Sequence, residues 1–252
     1  DDGRIRNRIH GRADVVLLDE DVPGAEVSRI FVENEQGAYA ATAHLIACGH
    51  RRIAHVGGPA DLFSARERHA GFVRAMADAG LSPHPPWVKF GAYDRETGLA
   101  AARGRWIGFI DHDDALAEHA VAVVARAIAE NPQARFFYTD ELIADGRLRP
   151  LDFFDKPAFD DVLLSGVNYI NHLSLYARDL IDGVGGFREG FDGSQDYDLL
   201  LRALARLARD EVRHIPYPAY IWRRDGRSYS VKFIEKATAN ARRALAESYR
   251  AE

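Results

Sequence analysis

Short apolar runs alternate with stretches of helical periodicity along most of this chain, and no other feature restricts its fold as strongly. A strand covered on both faces reads as a short continuous apolar run, and a helix between two such strands makes the crossover that a parallel pair needs. The runs fall at residues 15–18, 30–32, 52–56, 87–90 and 106–110, with helix-period stretches at 36–47, 64–79 and 96–103. Gly49 and Gly80 stand where the first two helices must end, and Ser64 stands where it can cap the second. Further along, Leu116, Ala120, Val121, Val124, Ala127 and Ile128 form one helical stripe closed by Asn131-Pro132, and residues 136–138 read as a strand. Residues 146–171, rich in aromatics and proline, read as irregular loops; helices are expected at 196–208 and 232–249, and strands near 212–215 and 219–222. The expected fold is α/β, with a mainly parallel, Rossmann-like sheet and helices on both faces.

Composition narrows the function classes. A formal net charge of -5 opposes a dominant basic face, so nucleic acid is not an expected partner. Cys48 is the only cysteine, which excludes an intramolecular disulfide and cysteine-rich zinc sites and suits a reducing cytoplasm. No apolar run approaches the roughly 20 residues of a membrane-spanning helix. The charged opening, residues 1–12, lacks the apolar core of a signal peptide. The expectation is a cytoplasmic protein with no integral membrane segment.

Three phrases in the first half belong together: VVLLDEDVPG (residues 15–24), VENEQGAYAATAHLIACGHRRIAHVGGP (32–59) and SARERHAGFVRAMADAGL (64–81). Residues 12–102 thereby resemble the effector domain of lactose-repressor-family regulators, a periplasmic-binding-protein-like fold. The resemblance implies that Ser64 and Arg68 line an effector cleft, where the arginine fork can hold adjacent hydroxyls or a carboxylate. Read without the family, Arg66 and Arg68 equally suit the solvated face of a helix. The helix-turn-helix and opening strands of that family are absent from this sequence.

The second half carries RWIGFIDHDDAL (105–116), FFYTDE (136–141), a long phrase from 153 to 202 that includes GVGGFREGFDGSQDYDLLLR, and HIPYPAYIWR (214–223). In this order and spacing, residues 104–230 resemble family-two glycosyltransferases of the GT-A fold. Asp111 and Asp113, after an apolar strand, have the placement of a D-x-D pair that can chelate Mg²⁺ or Mn²⁺ against a donor diphosphate, although aspartates are also common in turns and helix caps. The resemblance makes Asp196 the general base, and it puts Asn168, Tyr169, His172 and Trp222 near the acceptor. Asp196 and Asp198 also suit a helix N-terminus through its dipole, and Asp114 suits a helix cap. Ile221 stands where many relatives carry a metal-completing histidine, so metal binding is expected to be weak.

The sequence thus reads as a mosaic of a repressor-like half, 1–102, and a transferase-like half, 103–252, packed as one unit and joined at GLAAAR (98–103). The leading expectation is inverting transfer of a sugar from a nucleotide-diphosphate donor to a hydroxyl acceptor. The alternatives are a sugar-sensing fragment of a regulator, or a fused or engineered chimera that folds without activity.

Overall fold

The computed structural model describes residues 3–19, 21–92, 94–111, 114–224 and 234–249. The chain divides into two units, residues 1–102 and 103–252.

The first unit runs α1 (Arg4–Ile9), β1 (Val16–Leu18), β2 (Ser28–Ile30), α2 (Asn34–Ala47), β3 (His55–Gly57), α3 (Phe63–Asp78), β4 (Val88–Phe90) and α4 (Arg95–Ala101). Its strands form two parallel pairs: β1 on β2, with Val16 opposite Ser28, and β3 on β4, with His55 opposite Val88. Gly49 and Gly80 adopt φ values of 91° and 68°, the left-handed conformation that ends α2 and α3 without a Cβ clash. Ser64 does not cap α3, because the helix opens a turn-residue earlier with Leu62 at the cap position. Helices α2 and α3 approach closely at Gly71, where an added Cβ would lie 2.8 Å from the Tyr39 backbone nitrogen. Beneath them Phe72, Met76 and Ile53 form a small core supported by Ile46, Leu81 and Val88.

The second unit runs β5 (Trp106–Gly108), β6 (Ala115–Leu116), α5 (Ala120–Glu130), β7 (Phe136–Ala144), β8 (Pro150–Phe154), α6 (Asp161–Gly166), β9 (Ser174–Ala177), α7 (Arg178–Val184), α8 (Gln195–Leu204), β10 (Val212–Arg223) and α9 (Ile234–Ser248). The sheet order is β5-β9-β7-β10-β6, with β8 also on β7. Strand β7 is central, which is why Phe136, Phe137, Tyr138 and Thr139 are all fully buried.

This sheet corrects the mainly parallel expectation. Within this sheet only β7 and β10 pair in parallel among the described residues, and β5, β6, β8 and β9 all join antiparallel, giving a mixed sheet. The error arises in residues 146–171, read as loops but containing β8 and α6. There the Asp145 carboxylate accepts from the Arg147 and Arg149 backbone nitrogens at 2.9 and 3.0 Å, making a tight hairpin that proline and aromatic content conceals. The two strands expected at 212–215 and 219–222 are one strand, β10, whose register shifts at Pro218, a residue with no N–H for the ladder. The stripe expected from Leu116 begins as helix only at Ala120, since Leu116 pairs with Tyr220 in β6.

Candidate functional site

In the first unit the polar groups collect where β1 ends. Asp19, at φ 57°, follows β1; Asn34 opens α2; Arg68 sits in the second turn of α3. Asn34 Nδ2 donates to Asp19 Oδ1 at 2.5 Å, and Arg68 Nε donates to Asn34 Oδ1 at 2.7 Å. Arg68 also lies 3.5 Å from Asp19 Oδ2. Three elements therefore converge on one half-exposed network at the carboxyl end of a parallel strand, the usual position for a ligand in an α/β sheet. Arg68 is drawn inward by Asp19 and Asn34 rather than lying on a wholly solvated face. Ser64 is buried in the first turn of the same helix. Nearby, His55 stacks on Phe72 and lies 5.3 Å from His69, and His55 Nε2 and His69 Nδ1 are buried without hydrogen-bond partners among the described residues. Burial, reinforced by His69, pushes the His55 imidazole below its ordinary range.

In the second unit Asp111, Asp114 and His172 each bring a ligand atom within 4.8 Å of the others. Asp111 follows β5, Asp114 precedes β6, and His172 precedes β9. Asp113 lies outside the described residues. Asp114 is not a helix cap: its oxygens accept from Tyr220 Oη at 2.6 Å and from the Arg223 backbone nitrogen at 2.7 Å. Tyr220 also takes the Asp111 N–H at 3.1 Å and stacks on the His172 ring at 4.6 Å, so one buried phenol braces all three residues. Burial, then the bond to Asp114, holds that phenol in its neutral form. Asn171 Nδ2 lies 2.9 Å from His172 Nε2, where its N–H can donate to the ring nitrogen.

Behind the cluster is a buried ion-pair network. Lys156, wholly buried, donates to the His172 carbonyl and lies 3.4 Å from Glu141; Asp140 bonds His214 at 2.7 Å and the Lys156 backbone nitrogen at 3.0 Å. Burial lowers the Lys156 pKa, partly countered by Glu141. Composition and spacing had singled out none of these residues.

The expected acceptor residues do not gather at one place. Asp196, in the first turn of α8, shares a cavity of about 420 Å³ with Asn168, whose Oδ1 is buried without a hydrogen-bond partner among the described residues. Tyr169 is in the core, its hydroxyl accepting the Asp160 N–H at 2.8 Å. His172 stands with Asp111 and Asp114, and Trp222 packs against the core with the Arg224 guanidinium 5.6 Å over its ring. Asp198, two residues from Asp196, is buried and bound by Arg188 and Arg202.

Comparison with known proteins supports the repressor-like part of the chain. Residues 42–145 match the model of a periplasmic binding protein-like domain, a match that continues past residue 102 into the second unit. The HTH-type transcriptional repressor PurR of Aliivibrio fischeri is 40% identical over 80 residues, covering 32% of this chain and 24% of that protein. A solved LacI family transcriptional regulator from Mycobacterium smegmatis is 35% identical, with a TM-score of 0.33, covering 34% of this chain and 31% of that one. The O-antigen biosynthesis protein RfbC of Myxococcus xanthus is 40% identical over 155 residues, covering 60% of this chain and 12% of that protein. The chain thus spans no more than about a quarter of the length of the curated relatives it matches. It carries a segment similar to the effector domain of LacI-family regulators, within a mixed α/β fold. Among the described residues no helix is long and apolar enough to cross a membrane.

Proposed function

We propose that the first unit is half of an effector-sensing cleft of the LacI-regulator type, holding a small polyhydroxylated ligand at Asp19, Asn34 and Arg68, with Ser64 behind them. The observation that carries this reading is the linked Asp19–Asn34–Arg68 network at the end of β1, and the chain's likeness to the repressor PurR supports it. A carboxylate, an amide and a guanidinium held together offer donors and acceptors that alternate as sugar hydroxyls do. Calorimetry against a panel of free sugars tests it. Arg68→Ala should reduce the best sugar's affinity at least tenfold, as expected for a lost charged hydrogen bond. Binding unchanged in both Arg68→Ala and Asp19→Ala would refute the assignment. DNA should form no discrete gel-shift complex with this chain, since its net charge is negative.

A second reading is favoured by the Asp111–Asp114–His172 cluster and by the RfbC match, which is longer than the whole first unit and so takes in part of the second. In it the second unit is the acceptor-side portion of an inverting glycosyltransferase for a nucleotide-diphosphate sugar. Two carboxylates and an imidazole suit Mn²⁺, with Asp111 and Asp113 read as the D-x-D pair and with Asp114 and His172 beside Asp111. A divalent ion bound there would supply positive charge to the leaving diphosphate. Asp196 would take the proton of the attacking acceptor hydroxyl on its carboxylate, and Asn168 would orient that hydroxyl. UDP binding should require Mn²⁺ and weaken strongly in Asp111→Ala, because bare carboxylates repel a diphosphate. Metal-independent UDP affinity, unchanged in that variant, excludes this reading.

A further inference from the structure

Helix α9 forms part of the wall of the cavity that contains Asp196. Its basic residues divide into two groups. Lys236 pairs with Asp192 at 2.8 Å, and Arg243 donates to the Gly190 carbonyl at 2.8 Å and covers the Phe191 ring at 3.9 Å. With Asn240, which donates to the Asp192 carbonyl at 2.9 Å, these contacts fasten α9 to the loop before α8. Arg242 takes no part in this clamp. It lines the cavity and has no ion-pair partner among the described residues. Asn168 and Asp196 line the same cavity, each from a different stretch of chain.

A neutral sugar would engage Asn168 and Asp196 and leave the guanidinium fork to water. A sugar that also carries a carboxylate engages all three, because the fork matches a carboxylate in two parallel hydrogen bonds. The opposite charges also orient such a ligand: its acidic end is drawn to Arg242 and repelled by Asp196, leaving a hydroxyl at Asp196. The cavity volume lies within the roughly 300–1,000 Å³ of small-molecule sites. We infer that this cavity binds an acidic sugar of the hexuronate class, with its carboxylate on Arg242 and a hydroxyl on Asp196. That the sugar is an acceptor rests on the transferase reading above; that it binds does not.

The experiment is calorimetry on the full chain, without donor or metal, comparing glucuronate with glucose. Glucuronate should bind more tightly by up to about fivefold, the upper range for one partly exposed charge pair. Arg242→Gln should abolish the preference and Arg242→Lys should keep part of it, while Asn168→Ala should weaken both sugars alike. Equal binding of the two sugars, no binding of either, or a preference that survives Arg242→Gln overturns the inference. Release of UDP in a separate turnover assay reports on the transferase reading alone, so uronate binding without turnover, or turnover without uronate binding, tells the two apart.

Discussion

Asp198→Ala should lower the melting temperature of the second unit sharply, while Asp196→Asn should leave it nearly unmoved, although the two carboxylates stand two residues apart on one helix. Asp198 is 1% exposed and accepts from Arg188 Nε at 3.2 Å and from Arg202 Nε and an amino nitrogen at 3.0 and 2.8 Å. Arg202 in turn donates to the carbonyls of Val184 and Gly186 at 2.6 and 2.7 Å, so the carboxylate also orients the clamp between α8 and the end of α7. Removing one partner of a buried ion pair costs about 3–5 kcal/mol, because the other charges stay buried without compensation. Arg188 is 38% exposed and can recover water, which places the loss near the lower end of that range. For a unit of this size, about 3 kcal/mol corresponds to roughly 6–12 °C. Asp196 sits in the first turn of α8 and lines the cavity, and asparagine there keeps a polar side chain while forfeiting a helix-dipole contribution of about 0.3–1 kcal/mol. Thermal melts followed by circular dichroism, with UDP release measured in parallel, separate the roles. If the transferase reading holds, Asp196→Asn should cut turnover by about 10²- to 10⁴-fold. An Asp198→Ala chain that melts within about 2 °C of the parent would refute the argument that this carboxylate is structural.

Lowering the pH should destabilise the first unit through His55. Its folded pKa is depressed, so below its ordinary value near 6.5 the unfolded chain takes up the proton first, and stability present above that pH is lost as the pH falls toward the folded value. His55→Phe, which keeps the stack on Phe72, should flatten the melting temperature between pH 7 and 5; an unchanged slope excludes His55 as the cause. Gly71→Ala should cost about 1–3 kcal/mol in first-unit stability, because the new methyl meets the α2 backbone at Tyr39 and Glu35, where no flexible side chain can yield. Equal melting temperatures for the two proteins would count against that helix contact.

The same physics separates what could be read from the sequence and what could not. Helices α2 and α3 were legible because Gly49 and Gly80 mark their ends locally, and β7 was legible because an apolar run at the centre of a sheet has no exposed face to betray its register. Strand direction was not legible. It depends on which strand lies alongside, and β9, reached after a hairpin and a short helix, enters the sheet antiparallel to β7 without any local mark of doing so. The site divides along the same line. Asp111 and Asp196 stand in phrases whose order carries meaning, whereas His172 joins Asp111 and Asp114 only through the stacking phenol of Tyr220, a contact between strands far apart in sequence. Arg202 lies four residues from Asp198 and was in principle readable as a helical pair; Arg188, which precedes α8, was not. Arg242 and Arg243 are adjacent, alike and both exposed, and only the fold shows that one clamps the Gly190 loop while the other lines the cavity. Periodicity reports the face a side chain occupies, and chemistry depends on what stands opposite that face.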